Sequence, residues 1–131
     1  MDYAKTITVD LPYGQAVTAV KEAFKTQGFG TLTEIDVQAT LKEKLGADIE
    51  PYLIIGACNP QLAYQALDVT RDIGLLLPCN VVVREHAGTV VVQALDATVI
   101  AAVPGLPELE PIAAEAGRRI QAALDDLTKS S

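Results

Sequence analysis

The chain has 131 residues, half of them hydrophobic, and carries seventeen acidic residues against ten basic ones, for a formal net charge of −7. This composition is that of a globular protein, and the length fits one domain over residues 1–131. Nucleic acids and anionic membrane surfaces are bound largely through clustered Lys and Arg. Because the basic residues here are few and scattered, we expect neither nucleic acid nor a membrane as a partner.

The start of the chain has no secretory signature. Met1 is followed by Asp2 and an alternating run instead of a basic segment and an apolar stretch. Apolar stretches such as residues 99–103 are far short of the ~20 residues that span a bilayer. We therefore expect a cytoplasmic protein, in which Cys58 and Cys79 are thiols and not a structural disulfide.

The first half of the chain alternates strand and helix signals. Periodicity and capping residues first predict a strand over residues 3–9, a helix that ends at Gln27 before Gly28, and a strand over 29–35. They then predict a short helix that begins at Asp36 and ends at Leu45, a strand over 52–58, and a helix from Asn59 and Pro60 to about Val69.

The second half contains a hairpin and a long helix. Residues 73–78 are apolar and ambiguous between helix and strand. Strands over 79–85 and 89–95 flank a turn at Ala87 and Gly88, residues 99–106 are irregular, and a helix covers about 108–127. This order predicts an α+β fold, with a mixed, mostly antiparallel sheet and helices on one face.

Two Cys-Asn dipeptides stand at predicted strand ends, where loops commonly expose functional groups. Cys58-Asn59 ends one strand and Cys79-Asn80 begins another. Two thiols brought together could exchange as a dithiol or hold a soft metal with a third ligand, whereas two separate cysteines would be inert parts of the core. The side-chain amides could instead hold a small polar ligand, with the cysteines in the walls of its pocket.

Glu34 and Asp36 form a second candidate site, because a strand places residues i and i+2 on one face. Paired carboxylates can divide acid and base work or anchor a hard cation, which would suit a metal-dependent hydrolase. The alternative is structural, with Asp36 as a helix cap and Glu34 in solvent. His86 is the only histidine, which rules out a two-histidine metal site within one chain. We predict no bound metal or cofactor.

The valine-rich strands around residues 81–83 and 90–92 have apolar side chains on both faces. Helices can cover one face, and a second subunit would cover the other. These patterns together favour a small homodimeric protein that binds a small ligand or acts as an accessory protein. A thiol-dependent redox or sulfur-handling protein that uses Cys58 and Cys79 is the first alternative, and the hydrolase that uses Glu34 and Asp36 is the second. The chain carries no complete catalytic motif.

Several short blocks together resemble the domain-of-unknown-function family 302 from about Tyr3 to Leu95. The blocks are Gly28-Phe29-Gly30, Glu34-Ile35-Asp36, residues 40–46, Gly56-Ala57-Cys58-Asn59-Pro60 and residues 76–81. The resemblance implies a fold like that of the TATA-box-binding protein, often dimeric, and no established activity. A likeness to a DNA-binding architecture does not carry DNA binding with it, because function resides in sites and not in folds.

Overall fold

The computed structural model describes residues 2–130. Within them the chain forms five strands, which are β1 (Ala4–Val9), β2 (Gly30–Asp36), β3 (Tyr52–Cys58), β4 (Cys79–His86) and β5 (Thr89–Leu95). The α-helices in the same part of the chain are α1 (Tyr13–Thr26), α2 (Val37–Leu45), α3 (Pro60–Val69), α4 (Thr98–Ala102) and α5 (Glu110–Ser130). Short 3₁₀ segments cover Arg71–Leu76 and Pro107–Leu109.

The strands form one sheet in the order β1-β5-β4-β3-β2, and each neighbouring pair is antiparallel. The predicted α+β class and antiparallel sheet are therefore confirmed, and the arrangement is compatible with the topology that the family resemblance implies. In the described part of the chain, no helix combines the length and the apolar character needed to cross a bilayer.

One face of the sheet is covered by α1 and α5. On β3, β4 and β5 the residues Leu53, Val83 and Val92 are paired in register, and their side chains point into the main core. Facing them, α1 and α5 contribute the buried side chains of Ala16, Val20, Ala23, Phe24, Ala116, Ile120, Ala123, Leu124 and Leu127. Burial of this aliphatic surface is the main force that holds the two helices on the sheet.

The opposite face, called the open face below, carries the alternate residues of each strand. Ile54, Val82 and Gln93 lie in register across it and are half-buried. Gln93 accepts a hydrogen bond from Nε of Arg84 at 3.1 Å and donates one to Oγ1 of Thr6 at 3.2 Å. In contrast to the core face, this face mixes apolar side chains with a hydrogen-bonded polar row.

A second, smaller core accounts for two segments that the sequence left undefined. Ile73, in the 3₁₀ segment after α3, is 1% exposed, and Ile100, in α4, is 4% exposed. Both pack in one cluster with Leu109, the last residue of the second 3₁₀ segment, and with Ala113 near the start of α5. The segment over residues 99–106 was predicted to be irregular, but its first four residues belong to α4, because burial of Ile100 favours a helical turn that local propensity did not indicate.

Candidate functional site

The first Cys-Asn corner forms where β3 passes into α3. Asn59 ends the extended segment, and its Oδ1 accepts a hydrogen bond from the backbone N–H of Leu62 at 3.1 Å, while Pro60 occupies the first turn. This is the N-cap that the sequence predicts, because Asn satisfies a free N–H of the first turn and Pro needs none. With 6% of its surface exposed, Asn59 is a deeply buried polar residue.

The second corner begins β4 directly beside the first. Cys79 is paired with Ala57 in the sheet, so Cys58 lies one residue beyond that pair. Cys58, Asn59 and Cys79 all line one cavity of about 30 Å³. The sheet therefore brings three of the four residues of the predicted Cys-Asn site together.

Apolar groups from several elements make up the rest of the cavity wall. They are Phe29, Ala57, Leu62, Ala63, Ala66, Leu77, Pro78, Ile100, Ile112 and Ala116. A water molecule needs about 10–15 Å³ of such volume, so the cavity has room for about two water-sized groups. It can receive a small molecule or the end of a larger one.

Asn80, the fourth predicted residue, lies elsewhere. Asn80 lies on β4, where it is paired with Gly56 of β3. Its side chain is exposed and borders a shallow depression on the open face, together with Tyr52, Val82 and Gln93. Successive side chains of a strand point to opposite faces, so Asn80 lies on the open face, and it is not among the residues that line the cavity. The structure thus separates Asn80 from Asn59.

The two thiols differ in their surroundings. Cys79 is buried and Cys58 is half-buried, and both are free cysteines. Burial, followed by the charge of Cys58, raises the pKa of the Cys79 thiol to about 11. Cys79 is therefore a neutral, weakly polar wall group at physiological pH, since the thiolate is the reactive form of cysteine.

Glu34 and Asp36 do share a face of β2, as the spacing predicts, and each has a partner in the fold. Oε1 of Glu34 lies 2.7 Å from Nζ of Lys21 on α1. Oδ1 of Asp36 accepts a hydrogen bond from the N–H of Ala39 at 2.9 Å and so caps α2. No group of three or more His, Cys, Asp or Glu side chains suited to a metal ion occurs among the described residues.

Two further residues adjoin Asn59, and the sequence did not indicate them as site residues. A β-carbon on Gly28 would lie 2.9 Å from Nδ2 of Asn59 and 3.3 Å from Nη1 of Arg119 on α5. Gly28 was predicted as a helix stop, whereas Arg119 reads in sequence as one of two arginines on the polar side of a helix. Only the packing of α5 against the end of α1 reveals that it reaches the Asn59 corner.

Arg119 belongs to a cluster of three charged residues on α5. Glu115 accepts hydrogen bonds from Nη2 of Arg118 at 2.7 Å and from Nε of Arg119 at 3.0 Å. Hydrogen bonds from Arg118 first and Arg119 second lower the pKa of Glu115. The carboxylate is thus ionised at neutral pH, and the three side chains together carry a net charge of +1.

Comparison with known proteins supports the family resemblance. The model of the family described as "Domain of unknown function DUF302" matches residues 5–127. No curated protein matches the chain. Among solved structures, an uncharacterised conserved DUF302 protein from Bacillus stearothermophilus is 31% identical and superposes with a TM-score of 0.90, over 97% of this chain and 99% of that one. The chain belongs to the DUF302 family.

Proposed function

We propose that the protein is a small-ligand-binding protein whose binding site is the cavity at Cys58, Asn59 and Cys79. The observation that carries this proposal is the amide of Asn59, a buried polar group at the wall of an otherwise mostly apolar cavity. Apolar pockets with a few fixed polar groups are the usual form of small-molecule sites, because the walls supply affinity and the polar groups supply orientation.

The proposal is tested by fragment screening with the ¹⁵N-labelled chain. Molecules of a few non-hydrogen atoms are expected to shift the amide resonances of Cys58, Asn59 and Cys79 in a saturable manner. Ala63→Leu puts additional carbon atoms at the cavity wall and should weaken this binding about tenfold or more, since the space is lost. Ala39→Leu, on the exposed side of α2, is the matched control. Binding that is unchanged in Ala63→Leu, or shifts confined to other surfaces, would refute the proposal.

We further infer that two copies associate through the open face. On the open face of β3, β4 and β5 the side chains of Tyr52, Ile54, Val82 and Val91 are buried or half-buried although no helix of the main core covers them. Arg84 is the one Asp, Glu, Lys or Arg residue among the open-face positions of these three described strands. Depletion of charge at the centre of a patch is the compositional mark of interfaces, and it contrasts with the acidic character of the whole chain.

Sedimentation equilibrium tests the dimer. The unmodified chain should sediment at twice its monomer mass, and Val82→Lys should sediment as a monomer because it would bury an unpaired charge from each copy in the interface. Gln65→Lys, at an exposed position on α3, adds the same charge and should leave the dimer intact. A monomeric parent chain would exclude this assembly.

The thiol-dependent alternative rests on the two cysteines at the same cavity. In that case Cys58 would be the attacking thiol, since the raised pKa of Cys79 keeps it protonated. The hydrolase alternative has less support, because Glu34 is already ion-paired with Lys21 and Asp36 already caps the first turn of α2.

A further inference from the structure

The wall of the cavity carries no acidic or basic side chain. Among the described residues that line it, none is Asp, Glu, Lys, Arg or His. Arg119, which reaches the Asn59 corner, is not part of this wall, and its Nε donates to Glu115 at 3.0 Å. An ionised ligand in the cavity would therefore lose its hydration without gaining the opposite charge of a carboxylate or a basic side chain.

The thiol of Cys79 shows how this wall acts on a charge. Cys79 is 7% exposed, and burial, followed by the charge of Cys58, raises the pKa of its thiol to about 11. Burial disfavours the ionised form of any acid placed in the same surroundings. A ligand carboxyl beside Cys79 would be subject to the same penalty, so this part of the wall favours uncharged groups.

Two helices supply much of the apolar wall and define how much of a ligand it can enclose. α3 contributes Leu62, Ala63 and Ala66, and α5 contributes Ile112 and Ala116. Each methylene group that such a wall removes fully from water raises affinity about fourfold. The cavity of about 30 Å³ has room for about two water-sized groups, which corresponds to an alkyl chain of about two to three carbon atoms.

Resting on the proposed binding function, we propose that the ligand is an uncharged molecule that inserts a short alkyl group, about two to three carbon atoms long, into this cavity. The alkyl group lies between α3 and α5, and the polar end of the molecule lies toward Asn59, the one buried polar residue in the described part of the chain. Small alcohols, ketones and amides belong to this class, whereas carboxylates and ammonium compounds of the same size do not.

Titration of the ¹⁵N-labelled full chain at pH 7 and constant ionic strength tests the charge of the ligand. The probes are 1-propanol and propionamide, which are neutral, and propionate and n-propylammonium, which are ions of similar shape. The neutral probes should shift the backbone amide resonances of Ala57, Cys79 and Ala116 in a saturable manner. Each ion should bind at least about tenfold more weakly, because it would have to leave water with an unpaired charge.

A series of alcohols from methanol to 1-pentanol tests the length of the alkyl group. Affinity should rise about fourfold with each methylene up to 1-propanol, because each added carbon is buried in the cavity. Beyond 1-propanol the gain should fall below about twofold per methylene, because the additional carbons remain in solvent.

Matched variants connect this series to the cavity. Leu62→Ala enlarges the cavity and should extend the rise in affinity toward 1-pentanol. Leu45→Ala removes the same atoms from an exposed side chain outside the wall and should leave the series unchanged. Leu77→Ala, elsewhere in the wall, is a second enlarging variant and gives the same test if Leu62→Ala does not fold.

The outcomes distinguish this inference from the binding function on which it rests. If propionate or propylammonium binds as tightly as 1-propanol, the ligand is not restricted to uncharged molecules, and the inference is wrong while the cavity remains a binding site. If the alcohol series is the same in the enlarged variants and in Leu45→Ala, the alkyl group is not held in this cavity, and the inference is again wrong. If neither charged nor neutral probes shift the cavity resonances, the binding function itself fails.

Discussion

Gly28 lies against the side-chain amide of Asn59 so closely that a β-carbon at residue 28 would be 2.9 Å from Nδ2. The backbone of Gly28 also has φ +84°, a conformation that residues with side chains adopt at a cost. The turn after α1 and the N-cap of α3 are thereby fixed relative to each other. The position of the Asn59 donor depends on the absence of a side chain at residue 28.

We expect Gly28→Ala to lower the free energy of unfolding by about 1–3 kcal/mol, from the strained φ and the contact with Asn59 together. Urea denaturation provides the measurement. Gly14→Ala is the control, because a β-carbon there meets nothing within 4 Å, and this change within α1 should be neutral or stabilising by up to about 1 kcal/mol. Equal stability of the parent chain and Gly28→Ala would show that the turn is not constrained as described.

A second close approach joins β2 to β3 at Gly56. A β-carbon on Gly56 would lie 2.3 Å from Oγ1 of Thr33 and 2.8 Å from Cγ of Pro78. We expect Gly56→Ala to destabilise the protein by about 1–3 kcal/mol, since overpacking forces the neighbours to move. Thr33→Ala removes the closer of the two obstacles.

A double-mutant cycle in urea is the measurement for this pair. The Thr33→Ala and Gly56→Ala double variant should be more stable than the sum of the single changes predicts, with a coupling of about 0.5–2 kcal/mol. Strict additivity would mean that Pro78, and not Thr33, limits the space at Gly56.

Much of the fold could be predicted from the sequence because its signals are local. Asn59 followed by Pro60 fixes the start of α3, and the strand over residues 52–58 agrees with the structure at both ends. Short polar residues before a helix accept hydrogen bonds from N–H groups of its first turn, so helix starts can be identified without knowledge of distant contacts. The segment that forms α4 was missed because its helical turn depends on burial of Ile100 against residues of α5.

The candidate site was only partly predictable, because strand register decides which side chains meet. The pairing of Cys79 with Ala57 unites Cys58, Asn59 and Cys79, and the same pairing directs Asn80 to the other face. If β4 were paired one residue further along β3, both results would be reversed, and the sequence alone does not specify this register. Arg119 could not be identified from sequence, since its role follows from the packing of α5 beside Gly28.

The two cysteines are expected to react at different rates with a disulfide reagent such as DTNB. Because the pKa of the Cys79 thiol is raised to about 11, only about one molecule in a thousand carries it as the thiolate at pH 8. Native protein should therefore show one faster phase from Cys58 and one phase at least about tenfold slower from Cys79. Cys58→Ser should remove the faster phase and Cys79→Ala the slower one. Two equally fast thiols would contradict the burial of Cys79.

The raised pKa of Cys79 also predicts a loss of stability in alkali. Its pKa rises from 9.0 to about 11 on folding, so between these values the unfolded chain loses a proton that the native chain retains. The resulting stabilisation is complete below pH 9 and is lost as the pH rises toward 11, by about 3 kcal/mol at most.

Urea denaturation at pH 8, 9 and 10 measures this loss in the parent chain and in Cys79→Ala. Tyr13, whose pKa is raised by burial first and by Asp36 and Glu85 next, contributes to both proteins and cancels in the difference. The stability of the parent should fall more steeply than that of the variant. Parallel pH profiles would show that Cys79 titrates as a free thiol does.

Asp96 is expected to make the free energy of unfolding depend on pH in acid, in the opposite direction to Cys79: its stabilising contribution is lost as the pH falls. The N–H of Thr98 first and its hydroxyl second donate to Oδ1 of Asp96, at 3.0 and 2.8 Å, and lower the pKa of this carboxyl. Nζ of Lys5 on β1 lies 3.8 Å from Oδ2 and acts in the same direction. A carboxyl whose pKa is lowered on folding stabilises the native state above its unfolded pKa, and this contribution is lost as the pH falls through the folded value.

Asp96→Asn keeps an acceptor oxygen for Thr98 but removes the charge, so it isolates the ionic part of this stabilisation. At pH 7 we expect it to lower the free energy of unfolding by about 0.5–1.5 kcal/mol, as is usual for a hydrogen bond to a charged group near the surface. The difference from the parent chain should shrink as the pH falls through the pKa of Asp96 in the folded protein, which lies below 3.8, because the carboxyl of the parent is then protonated. Asp126→Asn, at an exposed position on α5, should show neither effect. An Asp96→Asn deficit that stays constant from pH 7 to pH 3 would mean that Asp96 stabilises the fold through geometry alone, independently of its charge.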